Sequence, residues 1–469
     1  PPGVVPLRRF LTLTRLVERW LGSGEGRPPV SAAPDLAETL ATLLDMLDEE
    51  GVAPAYLDGA VDEGMAAHWA EALALADVAR ARWPEIRAEE EGDVLDPAER
   101  QRRAALALVA AWQETPPEVP VVVAGSTGSR AVTALLMQAV ARLPQGAVVL
   151  PGFDPGEDPA IWREAGPDHP LGPFRRVFEG LGASPDAVRP WRGSPALTPR
   201  RRLMAEALRP APVTDAWIAA APRLAPEAEV ATEGLTLLEA ASPREEAAAI
   251  ALAIRHALET PGRTAMLVTP DATLARRVTA ELARFRIVPD DSLGQPLGQS
   301  PAGRFFRLLA AAASGEADAV ALAALLAHPH AHAGHDRLVH LRLARRYERE
   351  VLRARPLGGM PPGTLPRWPD KAGEAEIAWL RSVEHALAPL AQAFDAGAPL
   401  DALVAAHREA AAALSRTPEG TVAADEGEDG QALGRVLEAL ARAADAHGDA
   451  PMREAEYLAL LARLIDAET

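Results

Sequence analysis

The apolar repeat of the chain changes character at Thr115-Pro116-Pro117, and that change limits the available folds more than any other feature. Upstream, Leu7, Phe10, Leu11, Thr14, Val17 and Leu21 recur at three- and four-residue steps, one apolar stripe along a helix. The same pattern predicts helices over Ala33–Leu47, Met65–Arg82 and Pro97–Trp112. Asp96 before Pro97, with Glu99 three residues on, predicts an N-cap closed by a capping box. Glu89-Glu90-Glu91-Gly92-Asp93 reads as a solvated acidic loop. Downstream, Val119-Pro120-Val121-Val122-Val123-Ala124 reads as a short buried strand, followed by the loop Gly125-Ser126-Thr127-Gly128-Ser129. A helix over residues 130–143 and a second strand, Ala147-Val148-Val149-Leu150, come next. Strand, loop, helix, strand is a parallel α/β unit, because parallel neighbours need a crossover connection.

A second unit of this kind is expected from Leu235-Thr236-Leu237-Leu238-Glu239-Ala240. Ser242 caps its helix through His256, with Glu245 at the third position. Thr264-Ala265-Met266-Leu267-Val268 is the next strand, expected to pair in parallel with the first and to leave an open sheet edge. A helix over residues 271–285 follows, and another near 302–313. Between the two units, residues 155–232 are rich in Pro, Gly and Trp, with short helices near 174–181 and 199–208. Beyond His328-Pro329 helices run onward, broken by Pro356–Pro369 and an acidic loop, Asp425–Asp429. The expected class is α/β, mostly helical overall, without an internal repeat of roughly 20–50 residues.

At 469 residues the chain has room for three or four domains of roughly 100–200 residues each. Its 48% hydrophobic and 24% charged residues exclude wholesale disorder. With only 4% aromatic residues, the core must be mostly Ala, Leu and Val. The absence of cysteine excludes disulfides, Cys–zinc sites and iron–sulfur clusters within this chain. No secretory segment is visible and no apolar run approaches the ~18–20 residues of a membrane span. A soluble, intracellular protein with no membrane partner is therefore expected. The net charge of −18 argues against a surface that binds nucleic acid non-specifically, but it leaves room for a basic channel in an acidic exterior.

Gly125–Ser129 lies where phosphate loops lie, between a strand and a helix N-terminus, where amides and the helix dipole suit an anion. It lacks the Gly-Lys-Ser/Thr of a nucleotide loop, since the sole lysine is Lys371. A nucleotide site, a contact to a phosphate backbone and a plain tight turn all remain open. His328, His330, His332, His335 and His340 could ligate a metal or form a solvated His-rich loop. Arg342, Arg345, Arg346, Arg349 and Arg353 share one helix face, either a phosphate-tracking stripe or a solvated face. Asp290 and Asp291 are strand neighbours that should point opposite ways, so no shared metal is expected. Trp162, Trp191 and Trp217 could stack on bases or anchor packing. No catalytic Ser/His/Asp, Cys/His or paired-carboxylate arrangement stands out.

Several of these segments also resemble a known family. The run from Pro120 to Ser129, and that from Ala141 to Asp154 containing Gly146-Ala147-Val148-Val149-Leu150-Pro151-Gly152-Phe153, resemble the alphaproteobacterial AddB family. Its members are the non-motor subunits of the AddAB helicase–nuclease, which processes double-strand DNA breaks. Pro6-Leu7-Arg8-Arg9, Asp168-His169-Pro170, Glu206–Pro210, Arg244-Glu245-Glu246-Ala247, Val268-Thr269-Pro270-Asp271 and Asp291–Leu297 agree with it. The resemblance implies an inactivated superfamily 1 helicase-like fold, parallel α/β units with large helical insertions. Residues 1–115 would be a helical 1B-like insertion and 116–232 part of a 1A-like α/β unit. Residues 233–330 would be part of a 2A-like α/β unit, and 331–469 a helical 2B-like insertion.

By the same resemblance the chain is an internal fragment. The family's nuclease domain, with its iron–sulfur cluster and Mg²⁺, would lie outside it, so no cofactor is expected here. Motor enzymes carry an Asp-Glu pair where this chain reads Ala124-Gly125-Ser126, and an arginine where it has Thr269. Without that carboxylate or a phosphate-binding lysine, no ATP hydrolysis is expected. The implied role is a cytoplasmic, DNA-holding scaffold. It would act with the AddA motor in double-strand break repair by homologous recombination and contribute to Chi recognition. Single- and double-stranded DNA are the implied ligands, with Ser126, Thr127, Ser129, Arg130, Arg342, Arg346 and Arg349 as candidate contacts. Two other readings stay open: a stand-alone nucleotide-dependent enzyme using Gly125–Ser129, and an acidic interaction protein without a nucleic-acid role.

Overall fold

The computed structural model describes residues 2–22, 29–52, 82–153, 158–189, 198–292, 294, 296–354, 363–368 and 372–468. The chain forms two compact units, Pro1–Thr115 together with Gln295–Thr469, and Pro116–Gly294. It is mostly helical, with one two-stranded parallel sheet among the described residues. Except for Arg82, the helix expected over Met65–Arg82 lies outside the described residues, as do Trp191 and most of the Pro356–Pro369 break.

In the first unit the N-terminal stripe becomes the helix Pro6–Gly22, which buries Leu11, Leu13, Leu16, Val17 and Leu21. The helix Ala33–Glu50 packs on it, and Trp83 joins their shared core. Glu89, Glu90 and Glu91 are not a solvated loop. They close a helical turn, Arg87–Glu91, in which Glu90 pairs with Arg15 and Glu91 with Arg8, each at 2.7 Å. Two arginines on the first helix attract these carboxylates more strongly than solvation holds them apart. Asp96 precedes the helix Pro97–Glu114, but its carboxylate makes no capping bond because other partners engage it.

The centre of this unit is the helix Pro301–Ser314. It is apolar almost all round, burying Phe305, Phe306, Leu309, Ala310 and Ala313, so neighbours must enclose it. The helices Ala319–Ala327, Glu374–Asp395, Gly427–Ala443 and Glu454–Ala467 do so. Its first turn is capped twice: Ser300 Oγ accepts from Gly303 N, and Asp429 Oδ2 accepts from Ala302 N at 2.9 Å. The acidic run 425–429 is thus partly a capping device, since Asp425 closes a short turn and Gly427 begins a helix.

In the second unit, β1 (Val121–Ala124) and β2 (Gly146–Val149) pair in parallel, Val121 opposite Gly146 and Ala124 opposite Val149. The crossover helix Ala131–Arg142 and the helix Gly172–Leu181 cover one face, where Val123 and Val148 meet Ala134, Met137 and Val177. Phe153, Trp162, Phe174 and Phe178 form an adjoining aromatic core, with Phe153 and Trp162 edge to face at 5.9 Å. Trp162 is therefore a packing anchor, and Trp217 donates Nε1–H to the Glu206 carbonyl.

The expected second sheet does not form. Leu235–Ala240 and Thr264–Val268 are extended, but among the described residues neither donates to nor accepts from the other. The helices Pro243–Leu258 and Ala272–Ala283 pack on each other and on Leu267 and Ile287, while Leu237 stays 88% exposed. An extended apolar segment becomes a strand only with a neighbour in hydrogen-bonding register, and two such segments alone are marginal.

Candidate nucleic-acid interface

The loop between β1 and its crossover helix is shaped by two glycines in the left-handed region, Gly125 at φ +80° and Gly128 at φ +72°. Gly128 is fixed by space as well. A Cβ there would sit 2.5 Å from Val177 Cγ2 and 3.2 Å from Met137 Sδ. Ser126 Oγ accepts from Gly128 N, a serine turn that tightens the loop. Ser126 and Thr127 are half-buried, while Ser129 and Arg130 are exposed. Arg130 is the N-cap and offers no side-chain cap; among the described residues the amides of Ala131, Val132 and Thr133 make no hydrogen bond.

Ser129 also lines a cleft of about 350 Å³ with Gly166, Pro167, Arg175, Arg176 and Glu179. Arg175 bridges the carbonyls of Trp162 and Arg163, at 2.6 and 3.0 Å, which holds its cation in place. The helices bearing Ser129 and Arg175 run side by side in one direction, since Gln138 donates to the Arg176 carbonyl and Arg142 to that of Gly180. Hydroxyls, unbonded amides and guanidinium groups here are chemistry for an anion.

The arginine stripe lies on the helix Arg337–Glu350 in the first unit. Arg342, Arg345 and Arg349 are exposed. Arg346 instead binds Glu350 at 2.9 Å and Glu376, and lies over the Trp368 ring. Arg353 pairs with Glu348 at 2.8 Å.

The histidines are packing groups, not a solvated loop. His328 stacks on Phe305 and His330, and its Nδ1 accepts from His330 N. Burial pushes its pKa down to about 4. The backbone of His332, Ala333 and Gly334 donates to the carbonyls of Leu414 and Arg416, and His335 meets Ser382. His340 is fully buried: Nδ1 accepts from Trp379 Nε1–H at 3.1 Å and Nε2 donates to the Leu326 carbonyl at 2.9 Å. Among the described residues these rings do not form a group able to share a metal. Asp290 and Asp291 are not in a strand, and both line one trough, so the expectation that they diverge does not hold.

The carboxylates of Asp48, Asp96 and Glu99 do converge, with ligand oxygens within 4.8 Å of one another. The sequence hinted at this only in the Asp96–Glu99 spacing. Asp96 accepts from Trp83 Nε1 at 2.8 Å and from Arg87 at 2.7 Å, and faces Arg9 Nε at 2.7 Å. Two guanidinium groups already supply the cations, so the cluster reads as a charge-balanced helix junction and not as a metal site. With no cysteine, the donor set does not fit an iron–sulfur cluster either.

Asp48 bears the strain of this junction. Burial, reinforced by Asp96 and Glu99, pushes its pKa up to about 6. Because the folded state holds that proton more tightly than the unfolded chain, stability falls as pH rises from about 4 to 6 and stays lower above that. Asp48→Asn should therefore raise stability at pH 8 by about 1 kcal/mol, allowing for partial solvent screening, and leave it unchanged at pH 4. Thermal melts at both pH values check this; equal shifts would contradict it.

No protein-family model matches this sequence, and no match is found among curated proteins. No helix among the described residues is long and apolar enough to cross a membrane.

Proposed function

We propose that this chain is a DNA-holding scaffold with an inactivated helicase-like fold, the AddB-type partner of an AddA motor in double-strand break repair by homologous recombination. In this reading it works in the cytoplasm and contributes to Chi recognition. The observation that carries it is the Ser126–Arg130 loop, where a turn presents hydroxyls and three unbonded helix amides beside the Arg175–Arg176 cleft. Neither a lysine nor a carboxylate pair accompanies that loop, so it has the means to hold a phosphate and lacks the means to hydrolyse one. Ser129 and Arg130 would meet single-strand phosphates, and Arg342 and Arg349 would meet duplex phosphates from their exposed helix face. Arg346, held by Glu350 and Glu376, would contribute less.

The test is a salt series of fluorescence anisotropy on the two-subunit complex. Arg130→Ala should weaken single-strand binding and lower the salt slope by about 0.7, the increment of one single-strand phosphate contact. Replacing Arg342, Arg346 and Arg349 together should weaken duplex binding instead. Unchanged affinity in both variants across the series would refute the assignment. Saturable micromolar binding of ATP with Mg²⁺ at Gly125–Ser129 would favour the nucleotide-dependent enzyme.

A further inference from the structure

The second unit also contains a trough of about 490 Å³ between the helices Pro243–Leu258 and Ala272–Ala283 and the extended chain at 264–269 and 287–292. Its walls are apolar, with Ile254, Leu258, Met266, Val278, Leu282 and Ile287 among them. The flanking chain follows a two-residue period. Leu267 and Thr269 turn inward and are half-buried, whereas Met266 and Val268 are 85% and 83% exposed. Ile287 and Pro289 likewise turn inward, and Val288 is 93% exposed. Among the described residues the amides of Ala265, Met266, Leu267, Val268, Val288 and Asp290 make no hydrogen bond. This backbone has the shape and the free donors of a strand without a ladder.

We propose that the trough docks an extended segment of a partner protein, apolar at alternate positions and carrying an arginine or lysine that meets Asp290. Strand addition supplies main-chain hydrogen bonds along the unpaired chain, while the trough receives alternate side chains. The charge follows from the lining. Asp290 and Asp291 stand in it with no basic side chain, so a cation-bearing segment is complementary and an acidic one is repelled. A second copy of this chain is disfavoured by the same logic, since each copy carries −18. This inference is independent of the DNA reading, because it uses neither the Ser126–Arg130 loop nor the arginine stripe.

The test uses the full chain and a fluorescent nine-residue probe with valines at alternate positions, threonines between them and arginine at both ends. The probe should bind saturably and slow amide exchange at 264–268. A glutamate-ended version should bind at least tenfold more weakly. A version with proline in place of the central threonine, which cannot donate to a ladder, should lose most of its affinity. Asp290→Lys should reverse the preference between the arginine- and glutamate-ended probes, and Met266→Lys should weaken both. Because these side chains are exposed or at the rim, circular dichroism should show the variants folded. Equal binding of all three probes, or binding without protection at 264–268, would mean an unspecific apolar patch and overturn the proposal. Sedimentation showing self-association abolished by Met266→Lys would make the occupant a second copy and overturn it as well.

Discussion

Lowering the pH from 8 to 5 should cost the first unit about 4 kcal/mol through His340 and His407 alone. His407 is wholly buried, with Nε2 donating to the Phe306 carbonyl at 3.1 Å and Nδ1 accepting from the Tyr457 hydroxyl at 2.9 Å. Burial pushes its pKa down to about 3, and that of His340 to about 4, from an ordinary 6.5. Protonated His340 would also set an N–H against the Trp379 N–H that it now accepts from. Both rings are thus neutral when folded and take up a proton when unfolded. The stabilisation is complete above about pH 6.5 and is lost as pH falls towards 4. At pH 5 each contributes about 2 kcal/mol of loss, a large part of the roughly 5–15 kcal/mol that keeps a domain folded. The melting temperature should drop by about 10 °C over that range. His340→Gln with His407→Gln should flatten the pH dependence while lowering stability at pH 8. A pH slope identical to the parent's would show that these rings are not responsible.

Gly128→Ala should cost the second unit about 3 kcal/mol. The side chain enters the left-handed region, at about 1 kcal/mol or more, and its Cβ meets Val177, a stiff β-branched residue in a packed helix. Adding Val177→Ala should restore the steric part and leave the backbone part. The double variant would then be more stable than Gly128→Ala despite losing two methyl groups from the core. The same change should weaken single-strand DNA binding, because the loop cannot keep its register beside the helix amides. Urea unfolding of the parent and the three variants separates these effects. A Gly128→Ala cost below about 0.5 kcal/mol would mean that the loop is not held as described.

The parts of this fold legible in the sequence are those whose cause is local. The valine run, the two loop glycines and the alanine-rich crossover helix each carry their own signal, so β1, β2 and the loop could be placed from residue order. Ser242 was legible for the same reason, as its hydroxyl accepts from Glu245 N three residues on. What escaped depends on partners far along the chain. Asp96 has a capping spacing, yet Arg9, 87 positions earlier, joins Trp83 and Arg87 in claiming its carboxylate. Glu90 and Glu91 look solvated until the first helix brings Arg15 and Arg8 beside them. Leu235–Ala240 has the composition of a strand, but composition does not supply a ladder. The histidine run resembled a ligand set only because the helix Glu374–Asp395, which brings Trp379 to His340, lies some forty residues further on.

The first unit joins residues 1–115 to 295–469 across an interruption, and this fixes an order of events during synthesis. Arg8 waits for Asp445, and the first turn of the Pro301–Ser314 helix waits for Asp429. At roughly 5–20 residues per second, the N-terminal helices spend on the order of ten seconds or more outside the ribosome before their last neighbours emerge. Meanwhile residues 116–294, contiguous in the chain, are free to fold first. The contacts that close the first unit have very large sequence separation, so its slow step should be the docking of its two segments and not the formation of any helix. A chaperone that shields apolar helices should therefore engage nascent residues 6–50 until synthesis is nearly done.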